Sequence, residues 1–432
     1  MPKKVLIITY YWPPSGGAGV QRWLKFVKYL RKFNWEPIIY TPSNPEFPAI
    51  DETLAAEIPE GIEVLKTPIW EPYNLYKKLS GKSKNETVNA SGFISEKKSP
   101  GMLKNFFIWL RGNFFIPDAR KYWIKPSIKY LVNWLNHNKV NAIVSTGPPH
   151  SMHMIAMEVH NKTRIPWLAD FRDPWTTIDF YDELRLTNKA DRMHRRMELD
   201  VLTMADEVVV IGESMKEGLL KIKQRKYKVI TNGFDTEATQ QIHIEPDAHF
   251  SIAHIGSMAK SRNPDNLWKA LAELKNTIPE FSKDLEIKLI GSVDFTVTES
   301  IKAHGLLNHL TKIDYQPHDQ IILQQRQARV LLLIINDTPN AKVILPGKFF
   351  EYIASGRPVL CIGPLDGDAA TIINETGAGF VADVNNLQDI KDKLTMMYQN
   401  YKQNNDTVSP ANLAGYSREE LTRQMAEVLD KL

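Results

Sequence analysis

Two hydrophobic periodicities alternate along the chain from one end to the other. Residues 5–9, 37–41, 63–66, 142–145, 167–171, 207–211 and 228–231 form short, β-branched or fully apolar runs. That is the pattern of strands buried in a parallel sheet. Between them, apolar residues recur at helical spacing, as in Trp23, Phe26, Val27 and Leu30 or over 192–204 and 215–222. Residues 235–247 are weakly patterned and read as a linker. The alternation then restarts, with strands predicted at 250–255, 285–290, 330–335, 358–362 and 379–381. Helices are predicted over 264–274, 346–356, 371–374, 386–401 and 417–432, and a short helix and strand after Leu306. Repeated β-α alternation predicts two doubly wound parallel sheets. The expected domains are 1–240 and 241–415. The last helix, 416–432, opens on Ser417 and Glu420 as a capping box and is expected to pack back on the first domain.

Length agrees with that division, because 432 residues exceed what one core usually holds. The single cysteine, Cys361, falls inside a predicted strand, so no disulfide can form within the chain and a cytoplasmic setting is expected. Met1-Pro2-Lys3-Lys4 runs straight into a strand, unlike a signal peptide. The longest apolar runs, such as 330–335, are far too short to span a bilayer. A soluble or surface-bound protein is expected, either cytoplasmic or peripheral on the inner face of the membrane. Charge is uneven. Residues 77–129 hold twelve Lys/Arg against three acids, a net +9 that leaves −5 for the remainder of a +4 chain. Within 104–134 the basic residues alternate with Phe106, Phe107, Trp109, Leu110, Phe114 and Phe115. A membrane surface, nucleic acid or a helical core edge with snorkelling lysines all fit that mixture.

Candidate chemistry sits at predicted strand ends. The first strand leads into Pro13-Pro14-Ser15-Gly16-Gly17-Ala18-Gly19 and then a helix, the layout of a phosphate loop. The dinucleotide fingerprint fails, since its third glycine would be Arg22 and no acid closes the second strand. The glycines either let backbone N–H groups approach a ligand or form a plain tight turn. His150 opens the helix after strand 142–145, where open α/β sheets place ligands, with His153 the less favoured neighbour. Asp170, Arg172 and Asp173 form either a loop-fixing ion network, the favoured reading, or a ligand site. In 340–364 Pro346 starts a helix and Gly356 stops it, with Phe350, Ile353 and Ala354 facing the sheet. Lys348 and Glu351 share another face. Lys348 occupies the first turn, where the helix dipole disfavours a cation unless an anion binds there, so it either meets a phosphate or pairs with Glu351. Asp366-Gly367-Asp368 precedes a helix without further ligands and reads as an N-cap, not a metal site.

VLIITYYWPPSGGAGVQR, ITNGFD, HIGSMAKSR and LPGKFFEYIASGRPV, in that order, resemble the family 4 glycosyltransferases of the GT-B fold. The resemblance implies two Rossmann-like domains facing a cleft, a nucleotide-sugar donor, retention and no metal or other cofactor. It places the loop of Gly16 and Gly17 near the donor phosphates or the acceptor, and His150 on the transferred sugar. Lys260 and Arg262 fall where the family binds the diphosphate. Glu351 matches the second glutamate of the family's E-x7-E motif, which holds the ribose. The first glutamate is replaced by Val343, and Lys348 takes over part of its role. The acceptor is expected to be a glycan or a lipid-linked molecule in cell-surface polysaccharide synthesis, with 104–134 docking an anionic membrane and no nucleic acid bound. The alternatives are a nucleotide-sugar epimerase on the same fold and, resting on 77–129 alone, a basic nucleic-acid-binding protein.

Overall fold

The computed structural model describes residues 2–47, 49–72, 102–178, 181–235 and 244–432. Residues 73–101, which include part of the basic segment 77–129, and most of the linker at 235–247 therefore lie outside the described residues. The chain divides into two units, Met1–Thr231 with Arg418–Leu432, and Asn232–Ser417.

The first unit holds a seven-stranded parallel sheet. Its strands are β1 (Lys3–Ile8), β2 (Trp35–Pro42), β3 (Glu63–Thr67), β4 (Ala142–Gly147), β5 (Trp167–Phe171), β6 (Glu207–Val210) and β7 (Lys228–Val229). They lie in the order β3-β2-β1-β4-β5-β6-β7. The helices are α1 (Ala18–Leu30), α2 (Met102–Phe114), α3 (Lys121–Leu135), α4 (Ser151–Thr163), α5 (Asn188–Met204) and α6 (Glu213–Ile222). β1, β4 and β5 carry apolar residues on both faces because helices cover both. The helix Arg418–Leu429 buries Leu421, Met425, Val428 and Leu429 against Val20, Trp23, Leu24 and Val27 of α1. It begins directly after Ser417, and Glu420 pairs with Arg423.

α3 has one buried stripe, with Tyr122, Lys125 and Lys129 exposed away from it. Trp123, Ser127 and Leu131, four residues apart, are buried, and Trp123 stacks on Tyr40 with centroids 4.9 Å apart. Arg120 departs from the expected basic surface. It is buried, paired with Glu71 at 3.1 Å, and lies over the ring of Tyr10. A desolvated guanidinium needs such a partner, and Glu71 supplies it.

The second unit has a six-stranded parallel sheet of β8 (Phe250–Ile255), β9 (Leu285–Ile290), β10 (Leu310–Ile313), β11 (Val330–Ile334), β12 (Val359–Ile362) and β13 (Gly379–Ala382). The order is β10-β9-β8-β11-β12-β13. Its helices are α7 (Asp265–Thr277), α8 (Pro279–Asp284), α9 (Phe295–Ala303), α10 (His318–Gln327), α11 (Lys348–Ala354), α12 (Asp368–Thr376) and α13 (Leu387–Lys402). The apolar run of β11 splits by period two. Val330, Leu332 and Ile334 join one core with Trp268 and Leu394, while Leu331 and Leu333 join another with Phe349, Phe350 and Ile353. The helix expected from Pro346 starts at Lys348, with Gly347 as N-cap. α12 likewise caps on Gly367, not on an aspartate. Asp366 pairs with Lys342 instead.

Candidate functional site

In an open parallel sheet the ligand crevice lies beyond the carboxyl ends of the strands, where strand order reverses. Each unit has one such point, between β1 and β4 in the first and between β8 and β11 in the second.

At the β8–β11 point, β8 ends in His254 and Ile255 and turns at Gly256, whose φ of 112° lies in the region glycine favours. The chain then makes the 3-10 turn Lys260–Arg262. Arg262 donates from Nε to Oδ1 of Asn336, just past β11, at 2.7 Å. Lys260 is exposed. Lys348, the first residue of α11, reaches back to β8, with Nζ 2.7 Å from the Ile255 carbonyl and 2.9 Å from His254 Nε2. Burial and the nearby Arg262 bring the Lys348 amine down to about 7. Burial, with Lys348 and Arg262 close, holds His254 well below the ordinary histidine range, so its ring is neutral. Glu351 accepts from Gln325 Nε2 at 3.1 Å. It does not pair with Lys348, because the lysine is drawn to acceptors on β8. Val343 ends the 3-10 turn Ala341–Val343 and is half-buried.

At the β1–β4 point, Gly17 caps α1 with φ 87° and no side-chain bond. Gly16 commits its N–H to the Ala49 carbonyl at 2.9 Å, so it offers no amide to a ligand. His150 is buried at the start of α4 and stacks flat on Trp175, 4.3 Å between centroids and 2° between planes. Its Nδ1 has no hydrogen-bond partner among the described residues. Burial, followed by His153, His194 and Arg172, holds its pKa well below the ordinary value. His153 is fixed by Ser145, whose Oγ lies 2.8 Å from Nδ1. His150, Trp175, Tyr181 and His194 line a cavity of about 130 Å³.

The DFRDPW motif forms a network, with a partner the sequence did not single out. Asp170 is fully buried and accepts from Nη2 of Arg22 at 2.8 Å, Trp23 Nε1 at 2.8 Å and Thr146 Oγ1 at 2.8 Å. Arg22 also donates to the Ile230 and Thr231 carbonyls. Burial pushes the Asp170 carboxyl up, but Arg22, Trp23 and Thr146 together hold it below the usual range. Arg172 goes to backbone instead, to the Gly19 carbonyl at 2.6 Å and to that of Pro148, tying the two loops together. Asp173 is exposed. Asp170 and Arg172 therefore brace the loops.

Lys260, Arg262, Lys348 and Glu351 thus belong to the second unit, and Gly16, Gly17, His150, Asp170, Arg172 and Asp173 to the first. Among residues not foreseen, His254 and Asn336 each sat in view at a strand's carboxyl end. Gln325, on α10, carried no such signal.

Comparison with known proteins agrees with this architecture. Residues 235–412 match the family described as glycosyl transferases group 1. No curated protein matches the chain. Among solved structures it is similar to WaaG, a glycosyltransferase involved in lipopolysaccharide biosynthesis, with TM-score 0.56, 13% identity and coverage of 98% of this chain and 95% of that one. It is similar to a TarM variant of S. aureus in complex with fondaparinux, alpha-GlcNAc-glycerol and UDP, with TM-score 0.54, 12% identity and coverage of 99% and 98%. A putative UDP-N-acetylglucosamine 2-epimerase from Listeria monocytogenes gives TM-score 0.57, 11% identity and coverage of 100% and 96%. At such identities the likeness is one of fold. The fold is GT-B, and residues 235–412 match the family of group 1 glycosyl transferases.

Proposed function

We propose that the protein is a family 4 glycosyltransferase that moves a sugar from a nucleotide-sugar donor to a glycan or lipid-linked acceptor, with retention, in cell-surface polysaccharide synthesis. The observation that carries this reading is the meeting of Arg262 and Lys348 at the β8–β11 switch point, inside the segment that matches the group 1 family. Glycosyl transfer needs the leaving diphosphate stabilised, and fixed cations in a partly dry site supply that. Glu351 serves as acceptor for ribose hydroxyls, held in place by Gln325. His150 serves the transferred sugar. An epimerase would use the same donor cluster but release a new nucleotide sugar without an acceptor, so product analysis with and without acceptor separates the two.

Calorimetry tests the donor site. Arg262→Ala is expected to weaken nucleoside diphosphate affinity by about 1.5–3 kcal/mol, the worth of a charge-assisted bond. Glu351→Gln is expected to weaken nucleotide-sugar binding with the melting temperature unchanged. Unaltered affinity in both variants would remove the cluster from donor binding.

Residues 104–134 are proposed to dock on an anionic membrane. Phe114 and Tyr122 are 55% and 48% exposed, and Trp70 beside Tyr122 is 57% exposed. Lys125 and Lys129 are exposed, whereas Arg120 is buried and drops out of the basic set. The side chains of Lys104, Phe106 and Phe107 lie outside the described residues. Each lysine near such a surface is worth about 1 kcal/mol, so Lys125→Gln and Lys129→Gln are each expected to lower vesicle co-sedimentation about fivefold. Binding that ignores lipid charge, or that survives both changes, rules the surface out.

A further inference from the structure

A lysine ammonium has three N–H donors. In Lys348 one goes to the Ile255 carbonyl at 2.7 Å and one to His254 Nε2 at 2.9 Å. Nε2 is then the acceptor, which places the His254 ring proton on Nδ1. The half-buried amine is seated on an imidazole, which supplies an acceptor without a countercharge. The groups facing the amine leave that charge unanswered. From β8 come His254 and Ile255, and from the turn beyond it Arg262, itself a cation. From its own helix come Tyr352, whose ring centroid lies 5.6 Å from Nζ, and Glu351, which is held by Gln325. Two cations thus share a switch point, and among the described residues neither pairs with a carboxylate there.

We infer that His254 is a positioning residue for the donor's diphosphate: it holds one donor of Lys348 so that the third N–H stays available to an anion at the β8–β11 switch point. The inference rests on the nucleotide-sugar reading above. It explains why strand β8 ends in a polar residue that is 1% exposed. An apolar residue at 254 would leave the half-buried Lys348 with the Ile255 carbonyl as its one acceptor of the two.

A second consequence concerns the proton. With the amine at about 7, most of the free protein carries a neutral Lys348 near pH 8. A bound diphosphate supplies the missing countercharge and favours the ammonium. The proton passes from solvent to the Nζ lone pair, and no bond between heavy atoms forms or breaks. As far as Lys348 sets it, affinity for the diphosphate therefore falls as pH rises above about 7.

Calorimetry of UDP, GDP and ADP at pH 8, in two buffers of different ionisation enthalpy, counts that proton. The tightest of the three is expected to take up ~0.9 proton per nucleotide. Lys348→Met should bring the uptake close to zero. His254→Phe should weaken binding about tenfold or more, whereas His254→Gln, whose amide oxygen can accept from Nζ, should recover most of it. If His254→Phe does not fold, His254→Asn, too short to reach Nζ, gives the same contrast with His254→Gln. Uptake that persists in Lys348→Met, or parental binding in the variants lacking the acceptor, overturns the inference. Binding without any proton uptake overturns it as well, leaving the donor reading standing. Failure of all three nucleotides to bind instead sinks the donor reading itself.

Discussion

Arg22→Met is expected to destabilise the protein by about 3–5 kcal/mol, the usual cost of removing one partner from a buried ion pair. Side-chain exposure is 2% for Arg22 and 0% for Asp170, so no water replaces the lost guanidinium. Trp23 and Thr146 would still donate to the carboxylate, but neither carries charge. The Ile230 and Thr231 carbonyls also lose their donor, which loosens the end of β7. The pH dependence identifies the cause. In the parent, the depressed Asp170 pKa contributes stability that is present at neutral pH and lost as pH falls through that folded-state value. In Arg22→Met, burial is opposed only by neutral donors and the carboxyl rises above its unfolded value. That variant then binds more protons folded than unfolded, so its deficit against the parent should shrink on acidification. Asp170→Asn in the Arg22→Met background should restore part of the loss, a non-additivity that denaturant unfolding of the double-mutant cycle reads directly. A variant within about 1 kcal/mol of the parent at neutral pH would contradict the account.

The same pair shows what the sequence can and cannot disclose. Arg22 drew notice only as the residue that breaks a glycine fingerprint, and Asp170 only as the neighbour of Arg172. Their contact joins residues 148 apart, and only the placement of α1 over β5 makes it. Strands were legible because burial on both faces leaves an unbroken apolar run, and 167–171, 250–255 and 285–290 are strands over those same residues. Helices α9 and α10 were not, since their apolar stripes are short and lie among polar residues. Lys348 illustrates the middle case. Its first-turn position and the conflict with the helix dipole were readable, but its partners are 93 and 94 residues away on β8. A local i, i+3 rule pointed to Glu351, and the buried acceptors of β8 outcompete that solvent-screened pairing.

His150→Ala is expected to lower kcat about a hundredfold while changing donor affinity little. The size is that of removing one fixed donor from charge developing in a transition state. A loss confined to kcat is the signature of a contact made mainly there. The ring is fixed in place by its neighbours. Stacking on Trp175 sets its plane, the start of α4 sets its position, and Trp175 is in turn tied through Nε1 to His194 Nδ1 at 3.1 Å. Because burial keeps the imidazole neutral, it can offer an N–H without bringing positive charge. Activity should therefore show no loss attributable to His150 protonation between about pH 8 and the ordinary histidine range near pH 6.5. His150→Phe separates chemistry from packing, since it keeps the stack on Trp175 and loses both nitrogens. If His150 acts on the sugar, His150→Phe should have a near-parental melting temperature and the same loss of kcat as His150→Ala. If the ring merely fills space beside Trp175, His150→Phe should turn over like the parent.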